Sequence, residues 1–426
     1  MLFLDFKIRS VKAREVLDSR GNPTIAVNLQ TKDCCATSMV PSGISTGIHE
    51  ALELRDNDKS RYNGKGVLKA VGNVNKIISK KLTGKDCRKQ REIDNFLIEF
   101  DGTENKSKLG ANAILAVSMA VCKAGAAANS LSLYEHIAQL GKNKKFVLPV
   151  PMALMLEGGK HADKSSDFQE FMVMPYKAKS FREAIRWASE IYHAIGKVLK
   201  NKGFSVNVGH EGAYGPSLGG NEKAFRIIID GIKEAGYKPH KEVLIVIDPA
   251  ASEFFDNGKY NLKSEGRKLD GLGMINYYSD LTGKYPIFSI EDGLAEDDWE
   301  NWALMMKKLG NKMQIVGDDL TVTNIRRVQK AIEIKAINSV LVKVNQIGTV
   351  TETIDIVNLA KNNGLSSIIS HRGAETEDTF IADLVVGLGT GQCKFGAPAR
   401  SERTAKYNRL LRIEEKLGNK ARFARL

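Results

Sequence analysis

The second half of the chain carries a series of short apolar runs that each end in a polar or charged cluster, and this repeat restricts the fold more than any other feature. The runs are 243–254, 285–293, 313–320, 339–346, 366–375 and 391–398. They are separated by segments long enough for a helix, such as 297–309, 324–335, 350–362 and 377–387. Continuous apolar runs are typical of parallel strands covered on both faces, and their alternation with helices indicates βα units.

The intervals between the polar run ends fit one strand and one helix per repeat. Lys343 follows Asp318 by 25 residues, and Asp318 follows Glu291 by 27. Glu291 follows Asp248 by 43 residues, so that interval must contain an insertion. Polar residues at the ends of successive strands favour a barrel, whereas the alternative, a doubly wound open sheet, gathers its ligands at one switch point. We therefore predict an α/β chain whose C-terminal part is a (β/α)8-type barrel.

The N-terminal third has a different pattern of apolar and polar residues. Residues 25–30 alternate in polarity after a Gly-Asn-Pro turn, and helical patterns run over 67–82, 90–98 and 110–128. The Lys-, Gly- and Pro-containing segment 141–151 resembles a linker. We predict a smaller α+β N-terminal domain and a barrel domain that carries the functional residues. The two domains are expected to span 1–140 and 141–426.

Composition restricts the cellular compartment and the binding partners that we expect for this chain. The five cysteines show no metal or disulfide spacing, which favours reduced thiols. The first residues are too charged for a signal peptide, and the apolar stretch 111–128 is interrupted by polar residues, so we expect a cytoplasmic protein without a membrane span. The net charge is +13, and residues 400–426 hold nine Lys/Arg against three Glu. This basic tail fits a solvated helix face better than a nucleic-acid surface, which stays the weaker alternative.

Three carboxylates at the strand ends predict a metal site. Asp248, Glu291 and Asp318 each follow an apolar run. Taken singly, each fits equally well a helix cap or an ion pair. Brought together without a counter-charge, they would repel one another and would be costly to bury. Magnesium prefers such oxygen ligands and removes that cost, so we predict a magnesium site.

Other strand-end residues are candidates for proton transfer. Lys343 lies inside the apolar segment VLVKVNQ, and Lys394 follows two strands later. Burial and a neighbouring ammonium lower the pKa of a lysine while adjacent carboxylates raise it, so the net direction stays open. Glu170 and Glu211 stand in apolar, Gly-rich surroundings, where burial would raise the pKa and allow either side chain to donate a proton.

Two further segments supply candidates for anion recognition. His161 follows a Gly-Gly pair and is interpreted as a loop residue. His371 and Arg372 end another apolar run, where an arginine can bind a phosphate or carboxylate through two parallel hydrogen bonds.

Nine segments carry a resemblance to the enolase family. They are REVLDSRGNPT (14–24), VPSGISTGIHEALELRD (40–56), LGANAILAVSMAV (109–121), FQEFMVMP (168–175), SIEDG (289–293), VGDDLTVTN (316–324), VKVNQIGT (342–349), SHRGAETEDTFIADL (370–384) and GAPARSERTAKYNRLLRIEE (396–415). They occur in the family order, and the resemblance extends over essentially the whole length of the chain. The chain is therefore identified as similar to enolases.

The resemblance implies a glycolytic lyase that converts 2-phosphoglycerate to phosphoenolpyruvate and water with two magnesium ions. It implies that Lys343 is the base at C2 and Glu211 the acid at C3, and that Ser45 reaches the second metal and the substrate. It assigns Asp248, Glu291 and Asp318 to the first metal. It also implies a set of substrate and proton-network positions, which are Lys394, His371, Arg372, His161, Gln169 and Glu170.

The resemblance further implies a homo-oligomer, either a dimer or a ring of dimers. The residues that resemble the family's dimer contact are Arg20 and the pair Glu402–Arg403.

Several positions near the implied site depart from the family pattern. Gly373 and Ala374 stand where the family has Ser-Gly, His210 where it has Asp, and Glu157 where it has Asn. Loss of the serine hydroxyl removes a phosphate donor, at a cost of roughly 1–3 kcal/mol. Two alternatives therefore stay open beside an enolase proper. One is an enolase-like dehydratase with shifted substrate specificity, and the other is a binding or scaffold protein that uses its basic surface.

Overall fold

The computed structural model describes residues 6–43, 47–162 and 165–426. Ser45, the predicted ligand of the second metal, lies outside the described residues. The N-terminal part begins with an antiparallel sheet of β1 (Ser10–Leu17), β2 (Pro23–Gln30) and β3 (Cys35–Met39). The alternating segment predicted as a strand is the central strand β2.

Five α-helices of the described residues follow this sheet. They are α1 (Leu68–Asn73), α2 (Ser79–Leu82), α3 (Gln90–Asp101), α4 (Ala111–Ala128) and α5 (Leu133–Leu140). A π-helical turn joins α1 to α2, so the helical pattern predicted over 67–82 forms one interrupted helix. Helix α4 packs against β2 and β3 through small side chains. It is the one helix of the described residues long and apolar enough to cross a membrane, but 83% of it is buried inside the protein, as expected for a core helix.

The remaining strands lie in or near a closed barrel. They are β4 (Val147–Leu148), β5 (Val150–Glu157), β6 (Glu170–Met174), β7 (Leu244–Asp248), β8 (Phe255–Asp256), β9 (Lys259–Leu262), β10 (Arg267–Leu269), β11 (Ile287–Glu291), β12 (Gln314–Gly317), β13 (Ser339–Val342), β14 (Ser366–Ser370), β15 (Gln392–Lys394) and β16 (Arg422–Phe423). The barrel order is β5-β6-β7-β11-β12-β13-β14-β15, with β15 pairing back to β5. This closed sheet confirms the predicted barrel.

One strand departs from the expected parallel arrangement. Strand β6 runs antiparallel to both of its neighbours, β5 and β7. Among the described residues, the connection from β5 to β6 holds only one short helical turn, Gly159–His161. Since a parallel pair needs a long crossover, usually a helix, this connection returns the chain as a hairpin.

Nine helices of the described residues follow the barrel strands. They are α6 (Phe181–Asn201), α7 (Asn221–Glu234), α8 (Gly271–Lys284), α9 (Trp299–Leu309), α10 (Ile325–Glu333), α11 (Val344–Ile347), α12 (Val350–Asn362), α13 (Phe380–Leu388) and α14 (Ser401–Leu417). The insertion expected between Asp248 and Glu291 is present as the small sheet β8–β10.

Several basic side chains of the C-terminal tail are buried or paired with carboxylates inside the protein. In α14, Arg403 and Lys406 are buried, and Arg409 pairs with Asp383 at 2.5 Å. Arg403 is fully buried within this chain, and the expectation that it lies near a dimer contact stays a prediction. Part of the positive charge that suggested a polyanion surface is thus neutralised inside the protein.

Candidate active site

The predicted strand-end residues converge at one end of the barrel. Asp248 and Glu291 are the last residues of β7 and β11, Asp318 and Lys343 directly follow β12 and β13, and Lys394 ends β15. The three carboxylates are 1–4% exposed. Parallel strands end at the same rim of a barrel, which explains why residues far apart in sequence meet here.

Lys394 links three of the carboxylates. Its Nζ lies 2.7 Å from Glu291 Oε1, 3.0 Å from Asp248 Oδ2 and 3.0 Å from Glu170 Oε2. Burial alone would lower the pKa of Lys394, but the surrounding carboxylates, Asp248 foremost, raise it well above its usual value. The side chain is therefore a fixed cation, suited to stabilising negative charge rather than to accepting a proton.

Lys343 forms an ion pair with the carboxylate of Asp318. Burial acts to lower the pKa of Lys343, but the charge of Asp318 outweighs it and the net shift is upward. This settles the direction that the sequence left open. The side chain amide of Gln346 donates to the other oxygen of Asp318 at 2.9 Å, and the hydroxyl of Thr323 accepts from the Lys343 amide at 2.9 Å.

The three carboxylates offer oxygen ligands for a divalent cation, but Lys394 bridges Asp248 and Glu291, and the groups of described residues with ligand atoms within 4.8 Å of one another do not include this trio. Burial raises the pKa of Glu291 well above its usual value, and the charges of Asp248 and Asp318 add to the effect. Such a cluster is costly to ionise, and a bound cation would remove that cost. All of these donor atoms are oxygens, which is the ligand chemistry of magnesium.

Two neighbouring acids were missed by the sequence reasoning. The Asp292 carboxylate accepts the backbone amides of Asp318 at 2.9 Å and Asp319 at 2.8 Å, which fixes the loop that presents Asp318. One carboxylate oxygen each of Asp292, Asp318 and Asp319 lie within 4.8 Å of one another. The available signal was the second acid in each of the segments SIEDG and VGDDL.

Glu211, His371 and Arg403 form a chain of close polar contacts in the same cavity region. Arg403 donates to Nδ1 of His371 at 2.7 Å, so the ring proton belongs on Nε2, which lies 3.0 Å from Glu211 Oε2. Burial lowers the pKa of His371 to about 4. Burial also acts to raise the pKa of Glu211, but the facing His371 reverses it, and the net pKa lies well below its usual value. This differs from the raised pKa expected for Glu211.

His161 completes this polar group. Its Nδ1 lies 4.0 Å from Glu157 Oε2 and 4.0 Å from Glu170 Oε1. Burial raises the pKa of Glu170 well above its usual value, despite the opposing charge of Lys394, as the sequence led us to expect. Gln169 is buried beside it, and its amide oxygen has no hydrogen-bond partner among the described residues. Ligand atoms of His161, Glu170 and Glu211 lie within 4.8 Å of one another.

Arg372 lies in the same cavity, and its guanidinium is held by Glu50. The two nitrogens lie 2.9 Å and 3.0 Å from the two oxygens of the Glu50 carboxylate, and Asn345 accepts a further hydrogen bond at 2.9 Å. The guanidinium that we predicted to bind an anion is thus already paired with a carboxylate of the same chain. Nothing in the segment STGIHE singled Glu50 out for this contact. Gly373, one of the departures from the family pattern, lines the cavity next to Arg372.

Two family models match the chain. Residues 8–137 match the model described as the N-terminal domain of enolase, and residues 145–425 match the model described as the C-terminal TIM barrel domain of enolase. Together they span nearly all of the chain, and both parts of the fold described above agree with them.

Proposed function

Since this chain belongs to the enolase family and is thereby a lyase of the enolase superfamily, we propose that it interconverts 2-phosphoglycerate and phosphoenolpyruvate plus water. The observation that carries the proposal is that Lys343 and Glu211 line one cavity together with Asp248 and Asp318. A base and an acid arranged around a carboxylate cluster suit removal of a proton from one carbon and of hydroxide from the next.

In this proposal Lys343 takes the proton from C2. Removal of that proton creates an ene-diolate with two negative charges, and the fixed ammonium of Lys394 stabilises it where the charge develops. The Asp318 carboxylate holds Lys343 in place, and relief of this ion pair would free the amine to act as a base. Magnesium held by Asp248, Glu291 and Asp318 would supply additional positive charge to the carboxylate end of the substrate.

Departure of the C3 hydroxyl is assigned to Glu211, whose pKa has to rise from its low value in the free protein when substrate binds, so that the carboxyl can donate a proton. The Arg403–His371–Glu211 chain orients its carboxyl group, since Arg403 fixes the tautomer of His371 and His371 holds Glu211. His161, Gln169 and Glu170 complete the proton and hydrogen-bond network. A second magnesium ion, with Ser45 as its ligand and substrate contact, is part of the proposal.

The phosphate of the substrate is assigned to Arg372. For a bidentate contact, the guanidinium must exchange Glu50 for the phosphate, which carries more charge and more acceptor oxygens. Gly373 offers no hydroxyl beside it. This feature favours the second candidate, an enolase-like dehydratase whose substrate carries its phosphate elsewhere or lacks it.

The test is to mix the purified protein with magnesium and 2-phosphoglycerate and to follow phosphoenolpyruvate by ultraviolet absorbance. Turnover supports the proposal. A preparation that binds magnesium but shows no turnover contradicts it and promotes the specificity variant. Salt-sensitive binding to RNA without any turnover would instead promote the scaffold alternative. A cytoplasmic location, a homo-oligomeric state and the domain division at 140/141 belong to the same proposal. Sedimentation tests the oligomeric state, and limited proteolysis tests the domain division.

A further inference from the structure

Glu157 is the last residue of β5, and its side chain is fully buried beside the Glu211 loop. One oxygen, Oε1, accepts the backbone amides of Glu211 and Ala213, each at 3.0 Å. A single carboxyl group thus satisfies two amides of the turn that carries the Glu211 side chain. Buried backbone donors of this kind cost about 1–3 kcal/mol each when they lose their partner.

The same turn is tied to β5 through the backbone. The Glu157 amide donates to the carbonyl of Tyr214 at 2.9 Å, and the Tyr214 amide donates to the carbonyl of Met155 at 3.1 Å. The loop therefore joins the barrel as a short extra strand pairing, and the Glu157 carboxyl closes the end nearest to the catalytic cavity. Gly209 packs directly on the other carboxyl oxygen, where a Cβ atom would come within 2.2 Å.

That second oxygen, Oε2, faces the proton network. It lies 4.0 Å from Nδ1 of His161 and accepts no hydrogen bond from the described residues. Burial and the charge of Glu211 raise the pKa of Glu157 to about 8, so the group carries a proton at neutral pH. A neutral carboxyl can accept two amides through one oxygen and present an O–H to a ring nitrogen through the other.

We propose that Glu157 is a positioning residue, which fixes Glu211 through the two backbone hydrogen bonds that its Oε1 accepts. Glu157 touches no reacting atom; it acts through the turn 209–213. These hydrogen bonds require a side chain that reaches past Gly209 to the amides of Glu211 and Ala213. The inference rests on the proposed role of Glu211 as the acid.

Two variants separate positioning from simple stability. Glu157→Gln keeps an acceptor oxygen for the two amides, so it should turn over at close to the normal rate. Glu157→Ala removes both hydrogen bonds, and we expect kcat to fall about 10–100-fold while KM changes less than about threefold, since small displacements of a reacting group cost rates of this order. We therefore expect turnover to be retained in Glu157→Gln and reduced in Glu157→Ala.

A control removes another pair of hydrogen bonds, which a half-buried carboxylate accepts elsewhere. Glu414 accepts the backbone amides of Phe181 at 2.7 Å and Arg182 at 2.9 Å, at the start of α6. Glu414→Ala should lower the melting temperature without changing kcat. If it slows turnover as much as Glu157→Ala does, general loosening of the barrel explains the effect and the positioning role is wrong.

Hydrogen exchange gives a readout independent of turnover. The Glu211 and Ala213 amides should exchange faster in Glu157→Ala and at the unaltered rate in Glu157→Gln and Glu414→Ala. Unchanged protection in Glu157→Ala overturns the inference. Absence of turnover in the unmodified protein would instead contradict the proposed function, while the exchange result would still report on the turn.

Discussion

The Nζ atom of Lys394 lies 2.7 Å from Oε1 of Glu291 and is buried with it. Replacing the ammonium by an apolar side chain leaves buried carboxylates without their counter-charge. We expect Lys394→Met to lower the free energy of unfolding by about 3–5 kcal/mol in EDTA. Magnesium should recover part of this loss, as measured by thermal unfolding with and without the ion. The exposed Lys308→Met is the control, and an equal loss there would contradict the prediction.

Magnesium should stabilise the protein through Asp318. A ligand present at about 100 times its Kd adds about 2.7 kcal/mol to the free energy of unfolding, and for a large domain this corresponds to roughly 5–10 °C in melting temperature. We expect Asp318→Asn to lose most of this shift. The exposed Asp297→Asn should keep it; a full shift in Asp318→Asn would remove Asp318 from the metal site.

Lys343→Met should abolish turnover while leaving metal binding intact. The loss of a general base is expected to reduce kcat at least 100-fold. Exchange of the C2 proton of 2-phosphoglycerate with deuterated water, followed by NMR, should stop as well. Persistent exchange in the variant would show that another group takes the proton. The magnesium-dependent shift in melting temperature is the control for an intact site.

Gly373→Ser should restore a hydroxyl donor beside Arg372. One additional hydrogen bond to a charged phosphate contributes about 1.5–3 kcal/mol, so we expect KM for 2-phosphoglycerate to fall about 10- to 150-fold. Steady-state kinetics measure this directly. An unchanged KM would mean that the phosphate does not approach residue 373, and would favour a substrate with its phosphate elsewhere.

His136 in α5 should make stability depend on pH. Burial lowers its pKa to about 4, and its ring packs against Gly125 of α4. Because the folded state then binds fewer protons than the unfolded state, the stability contribution is complete above about pH 6.5 and falls as the pH decreases to about 4. The loss amounts to about 3 kcal/mol at most.

His136→Gln cannot titrate in this range. The difference in free energy of unfolding between the unmodified protein and the variant should therefore shrink by that amount between pH 7 and pH 4. Denaturant titrations at the two pH values measure it. A constant difference would mean that His136 becomes protonated in the folded protein without penalty.

The sequence predicted the barrel and most of the strand-end residues because both follow from a repeating pattern. Apolar runs at regular intervals need a doubly covered sheet, and the polar residues that end them must then share one rim. The reversed direction of β6 was not predictable in this way, since an apolar run of five residues looks the same in either direction.

The remaining misses concern pairwise contacts. The contact of Glu50 with Arg372, the support of Asp318 by Asp292 and the burial of Arg403 depend on which side chains meet in space, and no local pattern encodes that. The pKa directions of Lys343 and Glu211 could not be predicted from burial for the same reason. The charge of Asp318 reverses the effect of burial on Lys343, and His371 reverses it on Glu211.

The reach of Arg403 from α14 to His371 and to the carbonyls of Arg372 and Gly373 has a consequence for biosynthesis. The barrel strands leave the ribosome before this helix does, so the group that selects the tautomer of His371 is synthesised after the sheet residues that it serves. Because α14 also buries Tyr407, Leu410 and Ile413, its docking completes the hydrophobic core and the His371 contact in one step.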